Sequence, residues 1–485
     1  EGALLSMARK AGLDPVEAAA LTPRRDDIPF ESEHRFMATL HHDHAGRVFV
    51  LLKGAPERVL SLCVNDTGGG PLDSVAWQAR MDAAAAEGQR VLALAECDLP
   101  AGTVSLNMGD ITPRFTLLGL VGLMDPPRAE AVAAVAECQR AGIRVVMITG
   151  DHAVTAAAIG RAIGLRDGQP LTGAEIDRLD DTALKERLAQ TDVVARASPE
   201  HKLRLVATLQ SAGQLVAMTG DGVNDAPALK AADIGVAMGQ RGTDAAREAA
   251  DLVLTDDNFA TIAAAVREGR TVFDNIKKSL LFVLPTNGGE AGLILAAVFA
   301  GLAMPVTAAQ ILWINMVTSI TLDISLAFEP AERGAMQRPP RPANEPLITR
   351  WMLMRVVFVS LLLMGASFLV FNWQLARGGS LEVARTTVIN MVVVGEIVYL
   401  FNVRHFTASA FTRDTWLGNP VALGTVVITL VLQMLLTYAP PMQQLFGTAA
   451  LDAGSWGVIG ALAGGMFLAV EAEKWLLRRR GVHRM

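Results

Sequence analysis

Cysteine is scarce in this sequence. Three of the 485 residues carry a thiol (Cys63, Cys97 and Cys138), and none stands at metal-ligand spacing from another. That argues against a disulfide framework and suits a reducing cytosol. A basic stripe is missing too. The formal net charge is −6, which argues against a nucleic-acid partner. There is no signal peptide and no initiator Met. The opening Glu1-Gly2-Ala3-Leu4-Leu5 reads as the interior of a longer protein, so the chain is expected to be a fragment.

Apolar sequence is plentiful and unevenly spread. Hydrophobic residues make up 51% of the chain. Residues 1 to about 270 have the texture of a soluble α/β protein. Beyond Leu280 come six apolar segments, at about 279–301, 307–328, 352–373, 386–403, 420–438 and 456–477. Each is about 20 residues, enough to cross a hydrocarbon layer about 30 Å thick. Arginine is concentrated between Pro330 and Arg350, between Arg404 and Arg413, and in Arg478-Arg479-Arg480, while the opposite loops carry chiefly Arg377 and Arg385. The positive-inside rule therefore places the soluble part and both ends in the cytosol. The expectation is a multi-pass protein of the plasma (inner) membrane, with the lipid bilayer as a partner.

Within the soluble part, Val48–Leu52 reads as a strand ending at Lys53-Gly54-Ala55-Pro56-Glu57, where the glycine forces a turn and Pro56 can open a helix. Val91–Ala95 is a second strand. His41-His42-Asp43-His44 reads as a solvated turn beside Gly46 rather than a metal site. From Leu117 the rhythm becomes strand, turn, helix. Strands at Leu117–Leu123, Val145–Ile148, Val193–Ala195, Leu215–Met218, Ile234–Met238 and Leu252–Leu254 predict a parallel sheet with ligands at its carboxyl ends. Two of those ends carry one signature, Thr149-Gly150-Asp151 and Thr219-Gly220-Asp221. The glycine lets backbone amides approach a phosphate, and the aspartate can hold Mg²⁺. The second continues through Gly222-Val223-Asn224-Asp225 to Lys230, an oxygen-rich turn suited to Mg²⁺.

The apolar segments hold acids and amides that are costly in a bilayer and so read as functional. Asn287 and Glu290, three residues apart, share a helix face after Pro285. Asn315, Thr318, Ser319 and Asp323 share one in the next segment, and Glu396 lies in the fourth. Converging oxygen ligands with several carboxylates indicate a cation.

The run from Met218 to Lys230 resembles the hinge motif of the P-type ATPases. The likeness continues at Lys53–Glu57, at Asp125-Pro126-Pro127-Arg128 and at Met147–Asp151, so it covers essentially the whole chain and is strongest toward the calcium and sodium/potassium pumps. It implies an α/β cytosolic part, with a partial nucleotide-binding domain (1–118) and a haloacid dehalogenase-like phosphorylation domain (119–262) missing its first strand. An all-α stalk and bundle of six transmembrane helices (263–485) follows. The implied cofactors are ATP and Mg²⁺. Asp221 would ligate Mg²⁺, with Asn224 and Asp225 in support. Lys202 would neutralise the transferred phosphoryl, and Thr149 and Gly150 would hold its oxygens, with Asp151 beside them. Phe30 would stack on adenine, with Lys53, Gly54 and Arg90 lining the pocket and Glu1, Asp125, Arg128 and Arg196 completing it. Where calcium pumps place a basic residue two positions after the aromatic this chain has Ser32, and Arg35 is the candidate substitute. In the membrane, Thr286–Glu290, Trp313–Thr318 and Glu396 match ligand segments. Ser319 departs from the shared Asp of the calcium and sodium/potassium pumps, a loss Asp323 is expected to offset. Calcium is the first expectation for the cation, with sodium, potassium, proton or another divalent ion open.

The family's nucleophilic Asp-Lys-Thr-Gly and its Thr-Gly-Glu-Ser loop do not occur in these residues. The missing amino-terminal part of the same protein is thus an expected partner, and the chain alone is expected to be inactive. Other readings are a membrane-anchored haloacid dehalogenase-type phosphatase, a lipid-translocating ATPase and a non-catalytic descendant of a pump. The buried acids speak against the first two.

Overall fold

A computed structural model of the chain describes residues 2–31, 33–124, 126–332, 334–342 and 345–479. Glu1, Ser32 and Asp125, named above, lie outside the described residues. The chain divides into two compact units, residues 1–263 and 264–485.

The first unit opens with strands β1 (Arg24–Ile28), β2 (Phe36–His42), β3 (Val48–Gly54), β4 (Cys63–Asp66), β5 (Arg90–Leu99) and β6 (Phe115–Leu123). They form one sheet in the order β1-β2-β3-β5-β6-β4. Period-two alternation sends Phe36, Ala38 and Leu40 of β2 into the core, where they meet Val50, Leu52, Ala93, Ala95, Phe115 and Leu117. The segment Leu117–Leu123 therefore does not begin the parallel series. It pairs antiparallel with β5 and parallel with β4, so the expected boundary at 118/119 falls inside a strand. An apolar strand pattern does not announce which sheet it will join.

His41 and His42 also differ from expectation. They end β2 rather than form a solvated turn. The His41 ring contacts the Thr22 carbonyl at 2.9 Å and the Thr39 hydroxyl at 2.9 Å, and His42 contacts the Thr103 carbonyl at 2.8 Å. Cys63 is buried in this core, and burial pushes its thiol up to about 11. The thiolate is the reactive form, so Cys63 should resist an aromatic disulfide reagent at pH 7 in the native protein and react within seconds in denaturant. Rapid labelling of native Cys63 would contradict the buried placement.

The rest of the first unit holds two three-stranded parallel sheets rather than one. Strands β7 (Met147–Ile148), β8 (Leu171–Thr172) and β9 (Val193–Ala195) are ordered β7-β9-β8. Strands β10 (Ala217–Gly220), β11 (Ile234–Met238) and β12 (Leu252–Leu254) are ordered β10-β11-β12. Ile148 packs into the apolar clusters of both sheets. Among the described residues, β7 and β10 each have one strand neighbour, and each runs directly into a Thr-Gly-Asp signature.

The second unit is helical, and among the described residues six helices are long and apolar enough to cross a membrane. The labelled helices are α1 (Pro199–Ser211) in the first unit, then α2 (Phe259–Phe299), α3 (Ala308–Thr318) and α4 (Ile324–Ala327). After these come α5 (Arg350–Ala376), α6 (Leu381–Val403), α7 (Pro420–Tyr438) and α8 (Ala453–Arg479). Between α3 and α4 the backbone closes a π turn over Ser319–Asp323, so these three pieces form one span. Helix α6 is buried along nearly its whole length, packed against α5 and α8. The chain is thus an integral membrane protein whose α/β part precedes an all-helical one.

Candidate functional site

Lys202 stands on the first turn of α1. Three local signals start that helix there. Ser198 caps it by accepting from the His201 amide, Pro199 fills the first position, and Glu200 faces the helix dipole. His201 is pinned through its other ring nitrogen to Asp177 at 2.7 Å. The Lys202 ammonium then reaches across to Asp225 of the β10 loop, 2.5 Å away. This contact ties the helix after β9 to the loop after β10.

Asp225 is buried, and both its oxygens are engaged. One takes the Lys202 bond; the other accepts from the Asp221 and Gly222 amides at 3.2 and 3.1 Å. Burial alone pushes its carboxyl up. The Lys202 and backbone hydrogen bonds more than offset that and hold it below its ordinary value of 3.8. Asp225 thus holds the loop and the lysine, whereas Asp221 and Asn224 point outward, exposed. Gly220 has to be glycine, since a Cβ there would come within 2.5 Å of the Asp225 Cβ. In the other signature the Thr149 hydroxyl donates to the Asp151 carboxylate at 3.0 Å and accepts from the Asp151 amide at 3.1 Å. Arg196 follows β9 in left-handed backbone, φ 50°, a conformation costly for a residue with a side chain and common at functional sites. Its amide donates to the Asp151 carbonyl at 3.1 Å.

Among the described residues no three His, Cys, Asp or Glu side chains converge as a metal cage. Mg²⁺ does not ask for one. It takes one or two carboxylates, keeps several waters and shares the phosphates of its substrate. An outward, exposed Asp221 beside Asn224 fits that pattern.

A cavity of about 310 Å³ lies against the six-stranded sheet, lined by Leu4, Phe30, Met37, Lys53, Gly54, Arg90, Leu92 and Leu123. It unites four residues expected to share a pocket, Phe30, Lys53, Gly54 and Arg90. Leu4, Met37, Leu92 and Leu123 were missed; the last three are strand residues whose signal was alternation away from the core face. Arg35 and Arg128 do not line it. Arg35 is the second left-handed residue, φ 59°, and its carbonyl would lie 2.6 Å from a Cβ at position 54. Gly54 is therefore required by the close crossing of Arg35.

The helical unit brings together Glu290 of α2, Asn315 and Thr318 of α3, and Glu396 of α6. The Asn315 amide donates to one Glu290 oxygen at 2.8 Å. Glu396 lies beside the Thr318 hydroxyl and near Glu290. Glu290 and Glu396 are 7% and 2% exposed, and each keeps one carboxylate oxygen with no hydrogen-bond partner. Other buried acids of this unit are paired. Glu471 has Lys474 at 2.8 Å, Asp274 has Arg338 at 2.7 Å, and Glu329 has Arg404 at 2.8 Å with Asn419 at 2.7 Å. Among the described residues neither Glu290 nor Glu396 has such a basic partner. Two neighbouring buried carboxylates with open oxygens are costly unless a cation or protons complete them.

Three expected members stand apart. Asn287 and Ser319 are exposed. Asp323 lies near Ser279, eleven residues before Glu290 on α2 and so about 16 Å along the helix. It does not offset Ser319 within the Glu290 group, because the π turn intervenes.

Comparisons with known proteins give the family of the chain. Residues 1–130 match the model described as P-type ATPase, cytoplasmic domain N; residues 109–230 and 200–266 match haloacid dehalogenase-like hydrolases; residues 303–476 match cation transporting ATPase, C-terminus. The chain is 47% identical to a probable cation-transporting ATPase F of Mycobacterium tuberculosis, covering 99% of this chain and 54% of that protein. It is 42% identical to a cation-transporting ATPase of Synechocystis, covering 94% and 52%. It is 37% identical to a calcium-transporting ATPase of Bacillus subtilis, covering 95% and 52%. The chain thus spans about half the length of the curated relatives it matches.

Proposed function

The chain belongs to the P-type cation-transporting ATPases, and from that premise we propose that it supplies the nucleotide pocket, the Mg²⁺ carboxylate and the cation ligands of an ATP-driven pump. The observation that carries this reading is the pair Glu290 and Glu396, buried with open oxygens and no basic partner. Calcium is the preferred cargo. The ligand set is all oxygen and includes two carboxylates, as a hard divalent ion requires, and one of the relatives is named a calcium-transporting ATPase. The soluble unit faces the cytosol and the membrane is the plasma membrane, in keeping with the arginine-rich loops on that side.

Phosphoryl transfer is mostly positioning and charge compensation. Phe30 stacks on the base, while Lys53 and Arg90 attract the phosphates. Thr149 and Gly150 offer a hydroxyl and an amide to the transferred group, and Lys202, aimed by Asp225, neutralises it. Mg²⁺ held at Asp221 with Asn224 would add charge neutralisation of the phosphate oxygens. The nucleophilic aspartate must come from outside these 485 residues.

The test is ATP hydrolysis by the whole cation-dependent protein across calcium, sodium, potassium and manganese. Saturable stimulation by calcium is expected; a rate indifferent to every cation would defeat the reading. Base stacking on an aromatic contributes about 1–3 kcal/mol. Phe30→Ala should therefore weaken binding of a fluorescent ATP analogue about tenfold, measured by titration, and leave cation affinity unchanged.

A further inference from the structure

Helix α2 carries Pro285 in its interior. In a regular helix the amide of residue 285 would donate to the carbonyl of Leu281. Proline has no amide hydrogen, and its ring crowds that carbonyl. Leu281 is fully buried, so its carbonyl needs another donor, because buried backbone acceptors are rarely left unpaired. The donor is Tyr399 of α6, whose hydroxyl lies 2.7 Å from the Leu281 oxygen. Its ring stacks on Phe282, centroids 6.3 Å apart and 12° from parallel, and the side chain is 1% exposed. Nearby, Ser360 of α5 donates to the Pro285 carbonyl at 2.9 Å.

The position of this bond gives it a role. Tyr399 stands three residues after Glu396 on α6, so the two side chains share a face one turn apart. Leu281 and Pro285 stand on α2 about two and a half turns and about one and a half turns before Glu290. The hydroxyl therefore joins the two acid-bearing helices at the one point where α2 cannot hold itself together. We infer that Tyr399 is a positioning residue of the cation site: by replacing the amide that Pro285 lacks, it sets where Glu290 sits relative to Glu396. The inference rests on Glu290 and Glu396 binding the cation.

Tyr399→Phe keeps the ring and its stacking and removes only the donor. In the whole cation-dependent protein it should raise the half-saturating calcium concentration about tenfold, the worth of one hydrogen bond to a buried carbonyl. Pro285→Ala returns an amide to position 285. In that background Tyr399→Phe should change calcium affinity by less than about twofold, a departure from additivity that a double-mutant cycle reads directly. A merely structural tyrosine would lower thermal stability in both backgrounds and leave affinity alone. Unchanged affinity in Tyr399→Phe overturns the inference, and so does an equal loss in the proline and alanine backgrounds. Glu290→Gln, measured alongside, separates the two failures. If it removes binding while Tyr399→Phe does nothing, the inference alone falls. If neither alters binding, the cation reading falls and takes the inference with it.

Discussion

Glu290→Gln should remove cation-dependent phosphorylation while leaving the protein folded. Glutamine has the size of glutamate and can still accept the 2.8 Å bond from Asn315. What it loses is one of the two negative charges that would face the proposed cation. A unit charge at about 4 Å contributes about 4 kcal/mol per ligand charge at an effective dielectric of about 20, so affinity should fall by about a thousandfold. Stability should move the other way. The open oxygen of Glu290 is buried and, among the described residues, has no basic partner, so glutamine removes the cost of ionising that group in the cation-free protein. The pair of readouts is decisive. Cation titration should shift by orders of magnitude, and the thermal midpoint in cation-free buffer should hold or rise. Normal cation dependence in this variant would refute the site.

Lys202→Ala is expected to slow phosphorylation by about 100- to 1000-fold, the scale on which loss of one preorganised donor to a developing oxyanion is felt, with cation affinity intact. A second effect follows from its bond to Asp225. The lysine helps to hold that carboxyl below its ordinary value. A carboxyl depressed in the folded state contributes stability above its unfolded value, and that stability is lost as pH falls through the folded value. Without the lysine the folded value rises toward the unfolded one, and the soluble unit should unfold at higher pH on acid titration. Asp225→Asn tests the division of labour. It should weaken phosphorylation by loosening the lysine and the loop, yet less than Lys202→Ala. A wild-type rate in Lys202→Ala would remove this residue from the chemistry.

Much of this was legible in the residues. The Asp221 loop stands out in the sequence, because Thr-Gly-Asp-Gly and Asn-Asp crowd two carboxylates and an amide onto one turn. The six spans follow from length and apolarity. Asn315 and Thr318 lie on one helix face as their spacing implied, and Glu290 meets Asn315 from another helix, whereas Asn287 and Ser319 are exposed. The misses share a physical cause, which is dependence on distant partners. The alternation in Phe115–Leu123 is the same whether the neighbour is parallel or antiparallel. His41 and His42 looked solvated until carbonyls 19 and 61 residues away arrived beside them. Asp323 seemed to belong with Asn315 because α-helical spacing was assumed throughout, and nothing in the composition of Ser319–Asp323 betrays a different turn. Tyr399 lies 118 residues from the carbonyl it serves.

That turn has a consequence for how the membrane helix can be altered. A segment closed from each residue to the fifth beyond it takes in one residue more than an α turn, so α3 and α4 are out of phase with each other. Asn315 and Thr318 lie on one side of that change of phase, near the two glutamates, and Asp323 lies on the other, near Ser279. One span thus carries its polar side chains on two helical registers, and a substitution at Asp323 is expected to leave the Asn315–Glu290 bond in place.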